Sequence, residues 1–180
     1  VDLDGTFPSF VAAHIDGIFS GIRRLVPNAS DAEDLTQETF IRAYRALRGY
    51  APDRVAELRL RPWLWTIAVN LSRSAARRRS RRVTEVDLDA AGDRTPGPAA
   101  PETEAIEAVM TNEWARRLAD LSEAQRTAVV LRHVVDLPYA EIATITGRPV
   151  GTVKADVHRG IDRLRKLIAS ETTQLEEGTS

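Results

Sequence analysis

Tyr50, Trp63 and Trp65 precede Arg77-Arg78-Arg79-Ser80-Arg81-Arg82, five arginines within six residues. Cations at a helix C-terminus are favourable in any protein, but this many exceed that need. Aromatic faces beside a cationic track are what a single-stranded nucleic acid requires: bases stack on the rings and phosphates follow the charges. Asn70 lies between the aromatic and basic ends, and its amide can both donate to and accept from a base edge. The plainer alternative makes the tryptophans core and Asn70 a solvent-facing residue. It is expected to hold for at least one tryptophan.

A second constellation lies near the C-terminus. Pro138–Thr146 reads as a short helix closed by Gly147, which can take positive φ. Arg148-Pro149 turns the chain, and Val150–Ala169 reads as a longer helix. Val150, Val153, Val157, Ile161, Leu164 and Leu167 or Ile168 recur at steps of three and four and define its apolar side. Thr152, Lys154, Ala155, His158, Arg159 and Arg163 then fall opposite. Two helices, a short turn containing Gly and a basic second helix match a helix-turn-helix that sets its second helix in the major groove. The alternative is a plain helical hairpin with a solvated face, in which Asp162 and Lys166 form an ordinary i,i+4 pair.

The third constellation is acidic. Asp31, Glu33, Asp34 and Glu38 lie within eight residues with no base among them. The first-turn acids complement the helix dipole, but Glu38 lies beyond that turn. A basic protein partner and a solvated face both fit this surface.

These groups need helices to hold them. Phe7–Leu25 carries a helical apolar stripe. Ser30 with Glu33 suggests a capping box opening the acidic helix, whose apolar side is Leu35, Phe40, Ile41, Tyr44 and Leu47. Gly49 to Pro62 is at least partly loop, and Pro62 suits the first turn of the Trp/Arg helix. Residues 103–121 and 122–135 read as two more helices, the latter with Ser122 and Gln125 as a capping box. Strand patterning appears only weakly, at residues 83–88. The fold class is therefore all-α: two small helical domains joined by a flexible linker, the C-terminal one a helix-turn-helix. Residues 88–103, rich in Pro, Gly, Ala and acids, form the core of that linker. Each half is small for an independent core, so mutual packing or a partner is expected to stabilise them.

Composition excludes other chemistry. Among 180 residues there is no cysteine, which removes disulfide scaffolds, thiol catalysis and Cys-ligated zinc. The three histidines, His14, His133 and His158, are far apart, which opposes a His-rich metal site and leaves carboxylate-only sites open; the expectation is no metal and no cofactor. No apolar run reaches the length of a membrane span. The N-terminus has neither the basic start nor the apolar core of a signal peptide, so a cytoplasmic location is expected. No GxxxxGK[ST], HExxH or GxSxG is present, and no enzyme is expected. The 25 Lys and Arg against 26 Asp and Glu give a net charge of −1, which at first opposes nucleic-acid binding. That sum hides segregation. Residues 59–82 hold eight arginines and no acid, whereas residues 83–107 hold seven acids against Arg94.

In this order, the segments resemble bacterial RNA polymerase sigma factors of the extracytoplasmic-function (ECF) group. DAEDLTQETFIRAYRAL (31–47) resembles the family's core-polymerase-binding helix. RPWLWTIAVNLSRSAARRRSRR (61–82) resembles its promoter-melting and minus-ten recognition helix. Residues 121–168 resemble its minus-thirty-five domain. The resemblance implies region 2 at residues 1–82, an acidic linker at 83–105, region 4 at 106–170 and an acidic tail at 171–180. It implies that Asp31, Glu33, Asp34, Gln37 and Glu38 face core RNA polymerase. It also implies that Tyr50 and Asn70 line a pocket for a flipped base, supported by Trp63, while Arg73, Arg77 and Arg78 hold phosphates. Arg148, Thr152, Lys154, His158, Arg159 and Arg163 would dock the upstream promoter element. Promoter DNA and core polymerase are the implied partners, and an anti-sigma factor is a third of the kind the family uses. One departure stands out: Ala155 and Asp156 occupy positions where the family usually has Ser and Arg. The rival function is an autonomous helix-turn-helix regulator, which would leave the acidic helix and the Trp/Arg helix without a role.

Overall fold

A computed structural model describes residues 3–85 and 113–177, all of whose regular elements are helices. The N-terminal part holds α1 (Leu3–Leu25), α2 (Ala29–Arg48), α3 (Pro52–Glu57) and α4 (Leu60–Glu85). The C-terminal part holds α5 (113–119), α6 (Glu123–His133), α7 (Tyr139–Thr146) and α8 (Val150–Glu177). The expected linker lies outside the described residues from 86 onward. Its first residues, 83–85, finish α4 as helix, so the weak strand pattern gives no strand there.

α2 begins two residues earlier than the Ser30 capping box suggests. Asn28 is the N-cap, and its Oδ1 accepts from the Asp31 backbone N–H at 2.8 Å. Its Nδ2 in turn donates to the Asp31 carboxylate at 2.9 Å, closing a reciprocal pair. Any residue whose side-chain oxygen reaches N2 or N3 can serve as N-cap, and Asn28 satisfies that geometry two residues ahead of Ser30. The other expected box is present: Ser122 Oγ accepts from the Gln125 N–H and Gln125 Oε1 accepts from the Ser122 N–H.

The N-terminal core is built from Ile18, Ile22, Leu35, Phe40, Leu64, Trp65, Ala68 and Val69. Trp65 is only 3% exposed. Its ring lies where a side chain on Gly21 would stand: a Cβ there would meet Trp65 Cη2 at 2.2 Å. Glycine at this point of α1 lets α4 approach with a whole indole between them. Thr36 and Thr39 are buried too, and their hydroxyls donate to the Ala32 and Leu35 carbonyls at 2.7 and 2.6 Å. These bonds remove the cost of burying an unsatisfied hydroxyl.

The C-terminal core joins Leu118, Val130, Leu131, Leu137, Ile142, Ile145, Val153, Val157 and Leu164. α7 ends at Gly147, whose φ of 66° and ψ of 28° are left-handed. Only glycine takes that conformation without a Cβ penalty, and the turn it makes lets the Arg148 N–H reach the Ala143 carbonyl at 3.1 Å. The expected apolar stripe of α8 needs correction at its start. Val150 is 40% exposed, while Asp156 is 3% exposed and takes a place inside. Of Leu167 and Ile168 at the other end, Leu167 is the half-buried one and Ile168 is exposed. α8 also runs past Ala169 to Glu177, so the start of the expected tail is helical. Glu171 Oε2 accepts from Arg117 Nη2 at 2.7 Å and Nε at 3.0 Å, which ties it back to α5.

The two halves pack together. α4 lies against α7 and α1 against α6. Arg59 pairs with Glu141, Arg61 donates to the Val135 carbonyl, and Arg73 Nε reaches Glu123 Oε1 at 3.2 Å. α4 is therefore covered on two sides, by α1 and α2 and by the second half, which explains why its apolar residues do not form one clean stripe.

Candidate nucleic-acid and polymerase interfaces

Trp63, Asn70 and Arg77 are spaced by seven residues, close to two helical turns, so they share one stripe of α4. The stripe spans about 20 Å at 1.5 Å per residue. Asn70, Arg77 and Arg78 are exposed and Trp63 is half-buried. Tyr50, at the end of the turn after α2, brings its ring to 6.2 Å from that of Trp63, tilted by 60°. Arg54 of α3 lies over the Tyr50 ring, its guanidinium carbon 4.0 Å from the ring centre. The long connection thus folds back and places Tyr50 at the head of the stripe. Two expected members of this site stand elsewhere. Trp65, one of the three aromatics of the single-strand reading, is core. Arg73 faces the second half and bonds Glu123.

The five acidic-helix residues do not form one face. Glu33 and Gln37 line an apolar groove of about 940 Å³ between α1 and α2, with Phe7, Val11, Ile15, Phe19, Phe40, Ile41 and Tyr44. Ile15 is 39% exposed here, so part of the apolar side of α1 serves a surface and not the core. Asp34 and Glu38 lie one turn apart on another side, where Glu38 Oε1 accepts from Arg42 Nε at 2.6 Å. Asp31 turns to α4 and pairs with Arg79 across a cleft lined also by Asp34 and Arg78. Sequence reasoning missed both the groove and this link. The apolar residues of α1 and α2 read as core, and the Asp31–Arg79 partners stand 48 residues apart.

On α8, Lys154, His158, Arg159 and Arg163 are exposed, and Thr152 and Arg148 half-exposed, as the helix-turn-helix pattern predicts. Lys154 Nζ lies 5.7 Å from the Tyr139 ring centre and Arg132 5.3 Å from it, within cation–π range. His158 Nδ1 is 3.2 Å from Asp162 Oδ2, and Arg165 donates to Asp162 Oδ1 at 3.2 Å. Asp162 therefore pairs with these two residues instead of Lys166. The Asp156 carboxylate accepts from Arg159 Nη2 at 2.8 Å and from Arg148 Nη1. No group of His, Asp or Glu among the described residues is arranged to hold a metal. No helix of the described residues is long and apolar enough to cross a membrane.

An acidic and apolar helix pair, an aromatic–amide–arginine stripe and a basic helix-turn-helix together define a two-part, DNA-directed helical protein. The Sigma-70 region 2 family matches residues 10–82 and the Sigma-70, region 4 family matches residues 111–164. The ECF RNA polymerase sigma factor SigE of Mycolicibacterium smegmatis is 36% identical over 174 residues, covering 94% of this chain and 65% of that protein. The ECF RNA polymerase sigma factor SigW of Bacillus subtilis is 31% identical over 170 residues, covering 89% and 87%. Two solved structures share the fold. CnrH in complex with the cytosolic domain of CnrY matches with a TM-score of 0.67 at 22% identity, over 93% of this chain and 90% of that one. The sigma factor RpoE in complex with the anti-sigma factor NepR from Bartonella quintana matches with a TM-score of 0.70 at 24% identity, over 91% and 96%. The chain belongs to the ECF group of RNA polymerase sigma factors, initiation factors that act with core RNA polymerase.

Proposed function

We propose that the chain directs core polymerase to promoters by a division of labour among three surfaces. Glu33, Asp34, Gln37 and Glu38 of α2 dock on the polymerase, and Asp31 orients the arginine end of α4. The stripe from Tyr50 and Trp63 through Asn70 to Arg77 and Arg78 receives the unpaired strand of the minus-ten element. A base leaving the stack costs a few kcal/mol and exposes its hydrogen-bonding edge; ring faces and the Asn70 amide offset that cost. Arg148, Thr152, Lys154, His158, Arg159 and Arg163 meet the minus-thirty-five element in the major groove, where Arg and Lys reach phosphates or guanine. Arg73 joins the phosphate contacts once its bond to Glu123 is released.

The observation that carries this reading is the seven-residue register of Trp63, Asn70 and Arg77, with Tyr50 folded onto its head. A repressor that used only α7 and α8 would have no need of it. The phosphodiester chemistry belongs to the polymerase, so the chain itself is no enzyme, and its place of work is the cytoplasm. An anti-sigma factor is a further partner of this reading; the sigma factor RpoE, which shares the fold, is in complex with one. Run-off transcription with purified core polymerase tests the whole: promoter-specific initiation on genomic fragments is expected, and its absence on every fragment would sink the reading.

A further inference from the structure

Asp156 has an environment that its position on a recognition helix does not require. Its side chain is 5% exposed, yet it carries a carboxylate. Both oxygens are occupied. Oδ1 accepts from Arg159 Nη2 at 2.8 Å, three residues on along α8, and Oδ2 accepts from Arg148 Nη1, in the turn before the helix. One acid thus fastens the turn of the helix-turn-helix to the middle of its second helix. Both arginines keep an outward aspect, with side chains 33% and 58% exposed. A guanidinium has five N–H donors in a fixed planar fork. A single donor of each goes to Asp156, so the others remain for an outside acceptor.

We propose that Asp156 is a positioning residue that sets the specificity of upstream-element recognition, by holding the Arg148 and Arg159 guanidinia in fixed orientation toward the DNA. The inference rests on the reading of α8 as the major-groove helix. A free arginine follows whichever phosphate is nearest, which adds affinity without sequence information. An arginine clamped at one edge presents its remaining donors along defined directions, as bidentate contact with guanine needs. Its ordering entropy is already lost before DNA arrives. The same clamp lowers the local positive charge, which reduces attachment to arbitrary sequence. Asp156 therefore trades general affinity for discrimination.

The test uses the full chain bound to core polymerase. The probe is a double-stranded promoter fragment mapped from RNA 5′ ends, with its upstream hexamer intact or scrambled. For Asp156→Asn, the ratio of binding on intact over scrambled fragments should fall about tenfold, the scale of one bidentate base contact. Binding to the scrambled fragment should rise, and the salt dependence should steepen by about one to two released counterions. Arg148→Gln should also lower the ratio, and the double variant should do little more harm than either single one. The released arginines can turn to water, so the fold should survive, as a thermal melt would report; if Asp156→Asn does not fold, Arg148→Gln alone must lower the ratio. A wild-type ratio above one that neither variant changes overturns the proposal. Equal losses on both fragments overturn it as well, because they mark a structural role. A wild-type ratio of one defeats the major-groove reading itself, and the proposal with it.

Discussion

Arg73 Nε stands 3.2 Å from Glu123 Oε1, so α4, the helix proposed to receive the minus-ten strand, is paired with the first turn of α6 in the other half of the chain. Arg59 with Glu141 repeats this link at the head of α4. Partly exposed ion pairs contribute about 0.2–1 kcal/mol each. Removing one should therefore leave the halves together. Removing both shifts the balance by up to about 2 kcal/mol, roughly thirtyfold in population. Glu123→Gln combined with Glu141→Gln should raise the radius of gyration in small-angle scattering, and neither single change should. High salt should move the wild type in the same direction. An unchanged radius for the double variant would assign the apposition to apolar contact and the Arg61 bond to the Val135 carbonyl.

Asn70 and Glu38 lie on different helices and, in the proposed function, serve different steps. Asn70→Ala should slow promoter opening, read as permanganate reactivity of thymines, by about tenfold or more, while initial polymerase binding stays near wild type. The size follows from one lost base-edge contact of about 1–3 kcal/mol. Glu38→Lys should do the reverse: it breaks the 2.6 Å bond to Arg42 and sets a positive charge where a basic partner is expected. Equal effects of either substitution on both steps would contradict the division of surfaces.

Gly21 offers a test of the core that holds the stripe in place. On helix propensity alone, Gly21→Ala should stabilise the chain by about 1 kcal/mol. The new Cβ would instead overlap Trp65 Cη2, at 2.2 Å, and the indole is packed on all sides. Overpacking of this kind costs about 1–3 kcal/mol, so the propensity gain should be cancelled or reversed, with a net loss of up to about 2 kcal/mol in urea unfolding. Gly17→Ala, with nothing within 4 Å of its Cβ, is the control and should not destabilise.

Local signals were legible in the sequence, and long-range partners were not. The Ser122–Gln125 box and the Gly147 turn depend on residues within a few positions, and both stand as read. Asn28 and Ser30 are equally good N-caps by type, and only the described backbone separates them. Periodicity placed Val150 on the apolar side of α8 and left Asp156 out of it, because it counts an acid as polar whatever its partners. Asp156 is buried because two arginines satisfy it, one of them across the turn. Of the two expected means of stabilising small halves, mutual packing or a partner, packing between them is present. Which residues join them, 50 to 82 positions apart, no local pattern could give.

His14 makes the stability of the fold depend on pH. Its ring meets Phe10 at 4.7 Å between centroids. Burial and then the Arg61 charge hold its pKa below the ordinary value. In the unfolded chain the imidazole takes a proton near pH 6.5. In the folded chain it takes one only at lower pH. Across that interval the unfolded state binds more protons, so stability falls as pH drops through the unfolded value and levels off below the folded one. Above about pH 7.5 both states are neutral and His14 contributes no pH dependence. His14→Gln should remove this component. Urea midpoints of wild type and variant, measured at pH 7.5 and 5.5, should therefore show a smaller drop on acidification for the variant. A larger drop for the variant would mean that the folded state favours the charged imidazole, and it would reverse the assignment of burial and Arg61 as the controlling influences.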